Sequence, residues 1–414
     1  TADGYLPASP DWLPPDTAAG AVDPEQAQGD LVLRPLPVDA TYMPYVRLEI
    51  PGGSVTELDG VGDEDVVSLQ LVTRLWGVTQ TVTQPVLSAY PLPAVGPLPA
   101  APPLEEALAQ HPMLRTGDAA ERMLTIPAGE WTVTSSLVLP EGYGLVLEPG
   151  TALHFASDAF LLARGPLLFQ GTEADPIHLG PLDGTWSGVI TLGSERASYW
   201  DYVTVADTSA VALPGWTLTG AITFYESDIA LNHVRLLGTT AEDAINVIRS
   251  TFVFENSVFA DTFSDAFDAD FSQGEVTACG FNNIGADAID TSGSEVHVRD
   301  VRMVGLGDKA LSAGEASRVS AEAITVDGAD YGIVSKDLSH VTVQGGTIRG
   351  TRVAALAAYI KKPSYGPATM TARALVFEGV GEDAITLVQT GSWIDLDGER
   401  VWGVDVDVDA LYTD

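Results

Sequence analysis

A short phrase recurs along the second half of the chain at a spacing that few folds accept. The segments EDAINVIRS (242–250), SDAFDADFS (264–272), ADAIDTSGS (286–294), GDKALSAGE (307–315) and ADYGIVSKD (329–337) align on an aspartate at 243, 265, 287, 308 and 330. The steps are 22, 22, 21 and 22 residues, and EDAITLVQT (382–390), with Asp383, comes after a longer gap. Between these segments lie alternating runs: FVFENSVF, EVTACGF, EVHVRDVRMV, RVSAEAITV and HVTVQGGTI. Alternation means strands with one buried and one open face. About 22 residues is the chain that three short strands and their turns consume, so the period implies one coil of a solenoid. The expected fold is all-β: a right-handed parallel β-helix with three sheets.

The rest of the chain is read around that solenoid. Residues 1–30 are an extended Pro/Ala-rich arm without periodicity. Residues 31–92 hold β-branched alternating runs such as YVRLEIPG and VVSLQLVTRLWGV, which suit a small β-sandwich. Residues 93–118 combine a Pro-rich linker with a short capping helix in LEEALAQHPML (104–114). The β-helix is expected over 119–392, and a hairpin with a DG turn closes the chain at 393–414.

Charge then excludes several partners. The 414 residues carry 57 acids against 20 bases, for a net charge of -37. Nucleic-acid binding is not expected, because a duplex reader presents a basic face. No apolar run reaches the 18 residues of a membrane-spanning helix. The lone Cys279, in the apolar strand EVTACGF, reads as core. The histidines show no metal-ligand spacing. An acidic, lysine-poor surface suits a salty external medium, so an extracellular, cell-surface or periplasmic location is expected. The opening at Thr1 suits a mature or trimmed form.

The coils with their GxDAI-like turns, and the entry ARGPLLFQGTEADPIHLGP, resemble the pectin-lyase-like β-helix superfamily over roughly residues 119–390. The run from LTGAITFYESDIAL to AAYIKKPSYG looks most like a recurrent, uncharacterised bacterial extracellular group within it. The resemblance implies a fold and a range of activities: polysaccharide lyases, hydrolases and epimerases, but also adhesins and tail spikes. The Asn-Thr-Asp…Asp-Asp…Gly-His-Gly set of polygalacturonases and the Asp-Pro-His-Asp motif of alginate epimerases are missing from this sequence. Fold alone does not choose among the remaining activities.

Residues at equal places in successive coils stack about 4.8 Å apart. Asp243, Asp265, Asp287 and Asp308 would form one column, which turn architecture alone could explain. Asn246, Asp268 and Asp290 would form a second, with Asp270 two places beyond Asp268. Like charges near 5 Å cost roughly 3 kcal/mol each at an effective dielectric of about 20. Three things could offset that cost: a Ca²⁺ ion on Asp268, Asp270 and Asp290, a shared proton, or a lysine. The only four lysines, Lys309, Lys336, Lys361 and Lys362, fall in the next coils. They are accompanied by Ser312, Glu315, Asp337, Tyr359 and Tyr365.

Two readings stay open. In one, the lysines staple the coils, and the chain is a structural surface or filament protein that self-assembles through its arm. In the other, the face is a polysaccharide groove. Asp268, Asp290 and Glu315 would then be acid/base groups, while Lys309, Lys336, Lys361 and Tyr359 hold and neutralise the sugar. Asn246, Asp270, Ser312, Asp337, Lys362 and Tyr365 would line the groove.

Overall fold

The computed structural model describes residues 99–412, apart from 118–119 and 214–215, together with four short strands nearer the N-terminus. The chain divides into two compact units, Thr1–Gly96 and Pro97–Asp414. In the first unit Gly4–Tyr5 pairs antiparallel with Arg47–Leu48, and Leu69–Arg74 pairs antiparallel with Thr81–Val86. The arm, the sandwich and most of the linker expected there otherwise lie outside the described residues.

The second unit is a parallel β-solenoid of about 12 turns. Its N-terminal end is covered by the helix α1 (Leu104–Gln110), with Glu105 and Glu106 in the first turn, where carboxylates suit the helix dipole. The helix is shorter than expected because His111 precedes Pro112, and a residue before proline leaves the helical region. Ala107 is fully buried, with Leu104 and Leu108 against the core.

Seven strands build the sheet whose outer face bears the aspartates and lysines: β1 (Gly220–Tyr225), β2 (Asp243–Ile248), β3 (Asp265–Asp270), β4 (Ile289–Ser292), β5 (Lys309–Gly314), β6 (Arg318–Lys336) and β7 (His340–Tyr359). β6 and β7 bend through all three faces of a coil. The inward column of these strands is Ile222, Ile245, Phe267, Ile289, Leu311, Ile333 and Leu356, each paired with the next. All are at most 1% exposed. Each such burial is worth about 1.5–3 kcal/mol. Aromatic rings stack deeper along the core, as in Phe155 on Trp186 at 4.1 Å and Phe259 on Phe281 at 4.8 Å. Cys279 is buried in the core as expected, and burial pushes its thiol up to about 11.

At the end of this sheet each coil turns a corner through a residue in the left-handed region: Glu226 (φ 48°), Arg249 (51°), Phe271 (50°), Gly293 (60°), Glu315 (51°) and Asp337 (56°). A serine comes just after each corner. The backbone N–H of Ser194, Ser227, Ser250, Ser272, Ser294 and Ser317 donates to the hydroxyl of the serine one coil on, at 2.7–3.1 Å. Each bond adds about 1 kcal/mol, and together they help offset the left-handed corners. The C-terminal end is closed by an antiparallel hairpin, Trp393–Leu396 with Glu399–Trp402, around Asp397-Gly398.

Candidate functional site

The outward side of β1 to β7 carries the residues singled out in the sequence, in three columns. The first runs Gly220, Asp243, Asp265, Asp287, Lys309, Tyr331, Ala354. The second runs Thr223, Asn246, Asp268, Asp290, Ser312, Val334, Ala357. The third begins Ile248, Asp270, Ser292, Gly314, and Lys336 and Tyr359 continue it.

One expectation is corrected by this register. Asp308 does not continue the aspartate column, because Ile289 pairs Leu311 and the coil is a full 22 residues. Lys309 takes the place above Asp287 and donates its backbone N–H to Asp287 Oδ1 at 2.9 Å. A fourth carboxylate would have added repulsion where the ammonium supplies an ion pair. Lys309 Nζ lies 3.4 Å from Asp287 Oδ1 and also contacts Asp308. Asp383 lies in a 3-10 turn and is exposed.

The ammonium groups are distributed unevenly. Lys336 lies across Gly314 and reaches Asp290 Oδ1 at 3.5 Å. A Cβ on Gly314 would meet Lys336 Cε at 2.9 Å, so the glycine makes that reach possible. Both lysines are held well above the ordinary lysine range: desolvation is the largest single effect and opposes this, but the acids around each together outweigh it, Asp287 and Asp308 first at Lys309, Asp290 and Asp287 first at Lys336. Asp290 moves the other way. Burial pushes it up, but Lys336, Ser312 and Lys309 outweigh that and hold it below the usual carboxylate range. Asp287 is raised to about 7, since its deeper burial outweighs Lys309.

Among the described residues Asp243, Asp265, Asp268 and Asp270 form no ion pair. Burial lifts Asp243 to about 6 and Asp265 to about 7. Asp268 stands well above its ordinary value, first from burial and then from Asp270, Asp290, Asp243 and Asp265 around it. Burial also raises Asp270. Asn246, only 2% exposed, places its amide nitrogen 3.3 Å from Asp243 Oδ2, 3.4 Å from Asp268 Oδ2, 3.3 Å from Asp270 Oδ2 and 3.1 Å from Thr219 Oγ1. Oδ1 of Asn246 and Oδ1 of Asp268 are buried without a hydrogen-bond partner.

The remaining sequence candidates sit at the rim. Glu315 is at a corner, with Oε2 accepting from Ser292 Oγ at 2.7 Å and Oε1 in contact with Lys362 Nζ. Asp337 is fully buried at the next corner, and its Oδ1 accepts the backbone N–H groups of Lys361 and Lys362 at 2.7 and 2.6 Å. Ser312 is buried above Asp290. Tyr365 is half-buried nearby, with its phenol raised by burial and by Asp337. Tyr359 is fully buried and shares a 2.7 Å hydrogen bond between its hydroxyl and that of Tyr412. Lys361 Nζ stands 4.2 Å from the Tyr412 ring centre and is lowered by desolvation, then by Lys336 and Lys309.

Sequence reasoning missed the tail and two rings. Val406, Val408 and Leu411 pack on Tyr331, Val334, Ala354, Ala357 and Tyr359, covering the far end of the face, while Asp405, Asp407 and Asp409 stay exposed. The alternation VDVDVD signalled one buried side but not its target. Phe263, 74% exposed, and Phe271, 38% exposed, flank β3 on either side. Their signal was in FSDAFDADFS, where a phenylalanine brackets the acidic strand at each end.

Among the described residues one carboxylate group has metal-compatible spacing: oxygens of Asp265, Asp287 and Asp290 lie within 4.8 Å of one another. Two of the three already carry ammonium partners.

No protein-family model matches the chain, and no curated protein matches it. Solved structures that share the solenoid include a tailspike of an Acinetobacter phage, with 11% identity and a TM-score of 0.34 over 69% of this chain and 60% of that one. An alginate lyase from a Paenibacillus species has 14% identity and a TM-score of 0.30, over 63% of this chain and 99% of that one. The catalytic unit of an α-1,3-glucanase from Streptomyces thermodiastaticus has 12% identity and a TM-score of 0.32, over 75% and 68%. The chain thus spans less than two thirds of the tailspike. Likeness at this level concerns the coil alone. The parallel β-helix expected from the pectin-lyase-like resemblance is present. No helix among the described residues is long and apolar enough to cross a membrane.

Proposed function

We propose that this chain binds a polysaccharide across the outward face of β2 to β4 and that Asp268 and Asp290 form an acid/base pair acting on it. The observation that carries this is the split state of two stacked carboxyl groups. Burial and then its acidic neighbours push Asp268 towards its protonated form, while at Asp290, its partner one coil on, Lys336, Ser312 and Lys309 together outweigh burial and favour the ionised form. Environments that push two acids apart divide them into proton donor and anion. Glycoside cleavage needs that division, with carboxyl groups about 5–5.5 Å apart in retaining enzymes. Stacked coils offer about 4.8 Å between equivalent positions.

The flanking rings suit the same ligand. A pyranose ring lays its C–H face on an aromatic side chain and leaves its hydroxyls for polar groups. Phe263 and Phe271 stand at the two ends of a six-residue strand, which spans about 20 Å. That length accommodates a few sugar units crossing the acidic columns.

The competing reading, a filament subunit, gains little from the solenoid itself. α1 covers one end, and an antiparallel hairpin closes the other. Covered ends remove the edges on which coils of neighbouring copies would stack.

The test is a glycan-binding and turnover screen on the full chain, with Asp268→Asn, Asp290→Asn and Phe263→Ala as variants. If the face cleaves glycan, either Asn variant lowers turnover at least 100-fold with binding retained, whereas Phe263→Ala weakens binding. Binding that survives all three changes would sink the assignment of this face.

A further inference from the structure

The lysines on this face are already engaged. Lys309 pairs with Asp287 and Asp308, Lys336 with Asp290 and Lys362 with Glu315, while Lys361 lies over the Tyr412 ring. A uronate on β3 would therefore meet carboxyl groups rather than a free ammonium. The shortage on the face is of donors. The Asn246 amide has two hydrogens, yet its nitrogen lies 3.3–3.4 Å from three carboxylate oxygens, of Asp243, Asp268 and Asp270, so at least one of them goes without it. Asp268 Oδ1 has no donor at all. Asn246, with only 2% of its surface exposed, leaves Oδ1 unpartnered within the same group of acids. The carboxylates satisfied on this face take nitrogen donors at Asp287 and Asp337 and a hydroxyl donor at Glu315.

We infer that the glycan taken by this face carries free amino groups, with a sugar ammonium placed at Asp265, Asp268 and Asp270 between the rings of Phe263 and Phe271. The inference rests on the glycan reading above and names its substrate class. A protonated amine brings three N–H donors and a positive charge to aspartates that form no ion pair among the described residues. Asp268 Oδ1 is sealed, but Asp265, Asp270 and the rest of the Asp268 carboxyl are half-buried, so a ligand on the open side of β3 can reach those.

Binding should be coupled to protons. The groups facing the site are Asp243, Asp265, Asp268, Asp270, Asp287 and Asp290, with Lys309, Lys336, Lys362 and Arg249 around them and Glu242 beyond Asp243. Asp265 is about half protonated near pH 7. An incoming ammonium favours its ionised form, so protons leave on binding, and affinity rises from pH 5 to pH 7.

The experiment is calorimetric titration of the full chain with three tetrasaccharides: β-1,4-linked glucosamine, its N-acetylated counterpart and galacturonate. The glucosamine oligomer should bind at least tenfold more tightly than the N-acetylated one, with net proton release in buffers of different ionisation heat, and galacturonate should not compete. An Asp265→Asn/Asp270→Asn variant, its fold checked by circular dichroism, should lose at least tenfold. An Asp405→Asn/Asp407→Asn variant, altered only in exposed tail acids, should not. Equal loss in both variants, or in neither, would mean attraction to the net negative charge alone and would overturn the inference. Tighter binding of the neutral or the acidic oligomer would overturn it while leaving the glycan reading standing. No binding of any oligomer would remove both. A Ca²⁺ titration that displaces the glucosamine oligomer at micromolar concentration would reassign the aspartates to a metal ion.

Discussion

The two halves of one outward face show what a stacked coil leaves free. From β2 to β4 the columns read Asp, Asn, Asp, Ser. From the end of β6 onward the same columns read Tyr, Val, Ala, Leu and are covered by the tail. The inward column does not change along this length: it is aliphatic or phenylalanine throughout. Backbone ladders and the buried core hold the coil whichever side chain points outward. One half of the face could therefore become an apolar seat for the chain's own C-terminal segment while the other kept charged groups in short supply of partners. The row Lys309, Ser312, Gly314 divides the halves, and Lys336 crosses it to reach the acidic side.

The sharpest way to break that division is to remove the crossing. Lys336→Met leaves Asp290, with its side chain 22% exposed, without its principal cation. Losing one partner of a buried pair costs about 3–5 kcal/mol, whereas an exposed pair would cost under about 1 kcal/mol. Thermal or urea unfolding reads the difference. Adding Asp290→Asn to Lys336→Met should recover most of the loss, because the stranded charge is gone. A small effect in the single variant, or no recovery in the double, would mean that the boundary is not held by this pair.

A smaller effect separates the unpaired acids from the rest. Asp243 is held at about 6, above the unfolded carboxylate range, because burial favours its protonated form. The folded state therefore holds the proton after the unfolded chain has released it. The stability this provides is complete below about pH 4 and is lost as pH rises through 6. For Asp243 the shift is worth about 3 kcal/mol. Melting temperature should fall from pH 4 to pH 7, and Asp243→Asn should flatten that fall. An unchanged slope in Asp243→Asn would place the pH dependence elsewhere.

Much of this was legible in the sequence, and the part that was not has a common cause. The period gave the coil, because a three-sheet turn consumes a fixed length of chain. Asn246, Asp268 and Asp290 stacked as expected, because equal places in equal coils must stack. The register failed at Asp308, where identity of residue was followed instead of the period, and Lys309 was thereby kept out of its column. The serine after each corner, at 227, 250, 272, 294, 317 and 339, is as periodic as the aspartates and more persistent, yet serine is common enough to pass unread. What could not be read was long-range. Nothing local to VDVDVDALY says that Val406 and Val408 will lie against Val334 and Ala357, since that contact depends on where the last coil ends.

The tail provides the smallest test of the comparison. Tyr359 is fully buried, and its hydroxyl has Tyr412 as its partner at 2.7 Å. Tyr412→Phe removes that partner and strands the Tyr359 hydroxyl, at about 1–2 kcal/mol. Changing both to Phe should return most of this, because no buried hydroxyl is then left unmet. Hydrogen exchange locates the effect. If the tail is a fixed wall of the face, protection in 404–412 should drop in Tyr412→Phe while β2 to β4 keep theirs, since the inward column and the serine ladder there do not involve the tail. If exchange rises across β2 to β4 as well, the two halves are one cooperative surface, and the acidic half owes its geometry to the covered one.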